Sequence, residues 1–177
     1  MAIILGVDPG LTRCGYAVID TAKNQALAYG MFQSQPSEDP RDRVGAIARE
    51  LKKLVSEHSP ELIALERVFA QANLRSVMGV AQVSGALMSI AFDADIPLQF
   101  FTPSEVKAAV TGNGRATKEQ VGLMVTRILK LTEMPKPADV ADALAVALCA
   151  SKRGVKVGTS AQQQWVAAAK KASRRLG

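Results

Sequence analysis

The chain has 177 residues, with 22 Lys plus Arg against 16 Asp plus Glu and a formal net charge of +6 at pH 7; this length suits one well-buried α/β domain and is short for two. The basic balance favours a polyanionic partner, while Cys14 and Cys149, far apart and without CxxC spacing, argue against a disulfide framework or a cysteine zinc site and suit a reducing compartment. The amino terminus enters an apolar strand directly, without the order of a secretory signal, and no stretch is long and apolar enough to span a bilayer, so a cytoplasmic protein is expected.

Ile3-Ile4-Leu5-Gly6-Val7 is a continuous apolar run, as in a central strand covered on both faces, and it ends on Asp8 before the turn Pro9-Gly10. An Asp that opens a Pro-Gly turn is ordinary by itself. The carboxyl end of such a strand is also where α/β sheets place their sites, so further acids at the same edge decide between the two readings. Cys14 to Ile19 and Ala26 to Phe32 read as two more strands, joined to the first in an antiparallel meander by short connections. Asp39, Pro40 and Asp42 then start a helix whose apolar stripe is Val44, Ile47, Ala48, Leu51, Leu54 and Val55. His58 lies at its end, where the dipole or solvent explains it and no second histidine joins it.

Glu61 to Glu66 is the next strand. Because a helix precedes it, it can return parallel to the first and bring Glu66 to the edge where Asp8 ends. A helix over 74–92 follows, with no charged residue between Arg75 and Asp93, so it needs cover on nearly every side. Pro97 to Phe101 is the fifth strand, and Thr102-Pro103-Ser104-Glu105 caps a short helix carrying Lys107. After the loop Gly112-Asn113-Gly114-Arg115, Thr117-Lys118-Glu119-Gln120 caps a helix with Val121, Met124, Val125, Ile128 and Leu129 inward, closed by Met134-Pro135-Lys136-Pro137. The last helix, from Ala138 to about Lys152, carries Asp139 and Asp142 three residues apart on one face, in the first turn. Residues 1–153 thus read as one domain. Residues 154–177 read as a basic tail that could form an appended helix, with Lys170, Lys171, Arg174 and Arg175.

Four carboxylates for which the nearby sequence does not offer an arginine partner to each need a cation. Clustered oxygens without cysteine or paired histidine suit a hard ion, Mg²⁺ with Mn²⁺ as substitute. Such a site does phosphoryl chemistry, and in its two-ion form one ion lowers the pKa of the attacking water while the other stabilises the leaving oxygen. With basic residues around it, the substrate is expected to be a nucleic-acid backbone.

The stretches Ile4 to Gly10, Ala64 to Phe69, Gly112 to Lys118 and Ala138 to Ala145 together resemble the RuvC family of bacterial Holliday-junction resolvases, from about Ala2 to Ala150. The resemblance implies a ribonuclease-H-like α/β fold with a five-stranded mixed sheet flanked by helices. It implies a magnesium-dependent endodeoxyribonuclease that resolves four-way DNA junctions by paired symmetric cuts in recombination and repair. Asp8, Glu66, Asp139 and Asp142 would be its catalytic and metal-binding residues. Lys107 and Lys118 fall where the family has functional basic residues, Phe69 matches an aromatic that meets bases at the crossover, and Arg75 and Arg115 are further candidate DNA contacts. Asp139 stands where some members have histidine, so this is an all-carboxylate version. A homodimer through helix 74–92 and the RuvA-RuvB branch-migration complex are the implied protein partners. A ribonuclease-H-like nuclease acting on RNA or an RNA-DNA hybrid is the alternative, since its carboxylate chemistry is the same in sequence.

The helix over 74–92 has Leu74, Val77, Met78, Ala81 and Met88 on one side and Val80, Val83, Leu87 and Ile90 on others. Either the helix starting at Pro103 covers its surplus apolar face, or a second copy does. A substrate cut in two strands favours the second copy, with Val80 and Val83 as the expected outward positions.

Overall fold

The computed structural model describes residues 2–67 and 74–153, without the side chains of residues 74–76. Strands β1 (Ile3–Asp8), β2 (Arg13–Asp20) and β3 (Gln25–Gln33) form the antiparallel meander. Helix α1 (Pro40–His58) carries the chain to β4 (Leu62–Glu66), which lies parallel to β1. Helix α2 (Leu74–Asp93) leads to β5 (Leu98–Phe101), parallel to β4, and α3 (Pro103–Thr111), α4 (Lys118–Ile128) and α5 (Ala138–Arg153) follow. The sheet order is β3-β2-β1-β4-β5, a five-stranded mixed sheet with β1 at its centre.

Alternation along the strands divides the interior in two. Ile4, Ala17, Ile19, Leu62 and Ala64 face a core shared with α3, α4 and α5, while Leu5, Val7, Val18, Ile63 and Leu65 face one shared with α1 and α2. The expected stripe of α1 is the one that packs, with Ile47, Leu51 and Leu54 buried, and Asp39 accepts from Arg41 N–H as its N-cap. Both expected capping boxes are present, Thr102 with Glu105 and Thr117 with Gln120. Cys14 and Cys149 are buried free thiols.

Helix α5 lies closer to the sheet than ordinary side chains allow. A Cβ at Gly6 would come within 2.5 Å of the Ala143 carbonyl, and one at Gly15 would run into the backbone of Asp139. Gly15 pairs with Asp8 across β1 and β2. The two glycines therefore let the helix backbone settle directly over the end of β1.

Three expectations are corrected. Helix α4 ends at Ile128, before the proline-containing segment, because Lys130 takes a left-handed conformation with φ 53° and turns the chain back, so that Met134 lies against Gly122. Asp142 is the fifth residue of α5, so Asp139 alone of the pair lies in its first turn. On α2, Val83 is fully buried with Leu87, Ile90 and Ala91 against β1 and β4, and Val80 is half-buried, so neither is an outward position. The outward face is the other group, with Met78 57%, Met88 51% and Phe92 86% exposed and Ala81 and Gly85 open beside them. Close approach of Gly79 to Leu11 fixes this rotation. No helix among the described residues is long and apolar enough to cross a membrane.

Candidate active site

Strand parity places the first two acids. Asp8 follows Ile4 and Gly6 on the α5 face of β1, and Glu66 follows Leu62 and Ala64 on the same face of β4. The parallel register that sets Val7 beside Leu65 makes the two strands end level. Helix α5, seated on Gly6 and Gly15, supplies Asp139 and Asp142 above them. All four acids expected from the sequence therefore face one region at the carboxyl edge of β1 and β4.

The electrostatics follow from that convergence. Burial raises the Asp8 carboxyl from 3.8 to about 7, and the neighbouring Glu66, Asp142 and Asp139 push it the same way against the opposing pull of Lys118. Glu66 is raised to about 6 by burial and then by Asp142, with Lys118 and Lys107 opposing. Asp142 has a partner in Lys118, whose Nζ donates to Oδ2 at 2.8 Å, and this hydrogen bond is the main cause of an upward shift of the lysine. Arg13 Nε lies 3.6 Å from Asp139 Oδ2.

The donor set fits a hard divalent cation: four carboxylates, two of them on rigid strand ends, and at Asp8 a concentration of negative charge that burial makes costly. Among the described residues no group of three or more acid, cysteine or histidine side chains lies close enough together to hold a metal ion as the side chains stand. The Lys118 ammonium engages Asp142 instead.

Lys107 stands on α3 close enough to Glu66 to act on its charge, and Arg115 is exposed in the turn before α4, its backbone N–H bonded to Asn113 Oδ1 at 2.9 Å. Phe69, the Arg75 side chain and the tail 154–177 lie outside the described residues. Arg13 was not among the site residues expected from sequence. Its signal was a basic residue three positions past the Pro9-Gly10 turn, at the start of the strand that pairs with β1.

A family model described as crossover junction endodeoxyribonuclease RuvC matches residues 4–150. A protein of that name from Salinispora arenicola is 49% identical over 154 residues, covering 85% of this chain and 88% of its own. Another from Bifidobacterium longum is 45% identical over 185 aligned positions, covering 98% and 95%. The structure of Thermus thermophilus RuvC in complex with Holliday junction substrate superposes with a TM-score of 0.79 at 35% identity, covering 84% of this chain and 92% of that one. The observed fold is accordingly the ribonuclease-H-like one, and the chain belongs to the RuvC family of crossover junction endodeoxyribonucleases.

Proposed function

We propose that Asp8, Glu66, Asp139 and Asp142 hold divalent cations, Mg²⁺ or in its place Mn²⁺ and two of them during catalysis, and that with this set the enzyme resolves four-way DNA junctions. The observation that carries the reading is the Asp8 carboxyl, buried at a strand end and pushed up to about 7 with three further carboxylates around it. When bound, the cations supply a water activated for attack and a Lewis acid at the leaving oxygen. Asp8 and Glu66 give the site its rigid floor, because their backbones belong to adjacent central strands. Asp139 and Asp142 close it from above. Lys118, which pairs with Asp142, would be available to a phosphate oxygen if a cation took that carboxylate, and Lys107 beside Glu66 would supply a second positive group for the backbone being cut. Phe69 follows Glu66 closely in the chain, a position suited to stacking on a base unpaired at the crossover. Arg75 and Arg115 add charge for the arms.

Two cuts in one junction call for two sites related by symmetry. The exposed α2 face of Met78, Ala81, Gly85, Met88 and Phe92 supports an isologous pairing of two copies. Cutting of DNA junctions suits a cytoplasmic enzyme, with the RuvA-RuvB branch-migration complex as its protein partner. The test is a synthetic mobile junction incubated with Mg²⁺, with Ca²⁺ and with EDTA, beside an RNA-DNA hybrid of equal length. Paired symmetric cuts in Mg²⁺, binding without cutting in Ca²⁺, and an intact hybrid are the expected results. Preferential cleavage of the hybrid would replace this reading by that of a ribonuclease, and cutting in EDTA would refute the metal set.

A further inference from the structure

We infer that Arg13 is a DNA-phosphate contact on the β2 side of the carboxylates, opposite the side served by Lys107 and Lys118; this rests on the junction-cleaving reading above. The residue begins β2, whose neighbour β1 carries Asp8, and parity puts it on the face of Gly15 that α5 covers. Its Nε points at Asp139 Oδ2 at 3.6 Å, a distance too long for a tight charge-assisted bond, while 58% of the side chain is open to solvent. A guanidinium carries five N–H donors in a fixed fork, so the Nη groups can take a phosphate while Nε stays turned toward the carboxylate.

The turn that presents Arg13 is held firmly. Arg43, buried on α1, donates from Nε to Ser34 Oγ at 2.8 Å and from Nη2 to Thr12 Oγ1 at 2.9 Å. Ser34 ties the same turn twice more, through its N–H to the Thr12 carbonyl at 3.1 Å and through Oγ to the Leu11 carbonyl. On the turn's inner side, a Cβ at Gly10 would strike the Arg13 carbonyl. An exposed guanidinium set beside the proposed cleavage site on so fixed a support loses little freedom on meeting its ligand, which is what a phosphate clamp requires. The site is then bracketed, with Lys118 on Asp142 from the α4 side and Arg13 on Asp139 from the β2 side.

The experiment is junction binding by the full chain in EDTA at several salt concentrations, for wild type, Arg13→Gln, Arg13→Lys and, as a control on the opposite layer, Arg49→Gln. Loss of one phosphate contact should reduce the slope of log affinity against log salt by about one, so that Arg13→Gln loses roughly three- to fourfold less affinity than wild type between about 50 and 200 mM salt. Arg13→Lys should restore most of the slope, and Arg49→Gln should match wild type. A wild-type slope in Arg13→Gln would reduce Arg13 to a neighbour of Asp139 without a phosphate and overturn the inference. Failure of wild type itself to bind a junction would instead overturn the function on which it rests.

Discussion

Asp8→Asn should make the metal-free protein more stable while destroying its cutting. The Asp8 carboxyl is held at about 7 in the folded chain against an ordinary 3.8, first by burial and then by Glu66, Asp142 and Asp139. At about 1.4 kcal/mol per tenfold change in proton affinity, keeping this group ionised costs the metal-free fold at most about 4 kcal/mol. Because the folded value is the higher one, the cost is absent below about pH 4, grows as pH rises, and is complete above about pH 7; at pH 5 it is about 1.7 kcal/mol. An amide keeps the shape and never ionises. For a chain of this size each kcal/mol moves the melting temperature by about 2 to 4 °C, so if half the full cost is realised, Asp8→Asn in EDTA at pH 8 should melt about 4 to 8 °C above wild type. The excess should fall by more than half at pH 5. Saturating Mg²⁺ should close the gap from the other side, because wild type gains the binding free energy and the variant loses a ligand. Calorimetry at the two pH values, with and without metal, gives the answer. An Asn variant that melts at or below wild type in EDTA at pH 8 would show that ionised Asp8 carries no cost from burial and its acidic neighbours.

Metal affinity should carry the same signature, since Asp8 near 7 and Glu66 near 6 must both lose protons to bind a cation. Titration calorimetry with Mn²⁺ should show the dissociation constant rising by about tenfold per pH unit below about 7 and more steeply below about 6; a constant value from pH 8 to 5.5 would contradict the shifts. Gly15→Ala should drive its methyl into the Asp139 backbone, costing about 1 to 3 kcal/mol in stability and weakening Mn²⁺ binding, where an unperturbed melting curve would count against the close seating of α5. Met88→Glu should yield monomers by sedimentation with the fold intact, whereas Val83→Glu, a charge in the core, should unfold the domain. A dimeric Met88→Glu protein would clear α2 of a role in assembly.

The parts of this site that were legible in sequence are those fixed by local rules. A strand with an apolar run and no alternating polar positions reads as central, with its last residue at an edge; Asp8 and Glu66 follow from that and from counting by two. Asp139 and Asp142 share a face because of helical spacing. The caps at Asp39, Thr102 and Thr117 are written in three or four consecutive residues. What escaped was decided by contacts between distant residues. On α2 both sides are apolar, so periodicity identifies the faces without saying which one the sheet takes; the meeting of Gly79 with Leu11 selects it. The buried Arg43 reads as an ordinary first-turn arginine until Thr12 and Ser34 arrive beside it from the meander. The partners of Asp139 and Asp142 are likewise far away in the chain, at Arg13 and Lys118.

The seating of α5 on Gly6 and Gly15 also bears on when, as the chain is made, the proposed site can be assembled. Translation delivers Asp8 and Glu66 well before Asp139 and Asp142, and the helix that carries the second pair must close a loop back to the first strands of the chain, one of the longest closures in the fold. Until it docks, Ile4, Ala17, Leu62 and Ala64 lack their cover and half of the carboxylates are missing. A chain still on the ribosome therefore lacks half of the proposed metal set. On the proposed metal set, the site is assembled only by the docking that also covers this face of the sheet, so folding and site assembly are coupled.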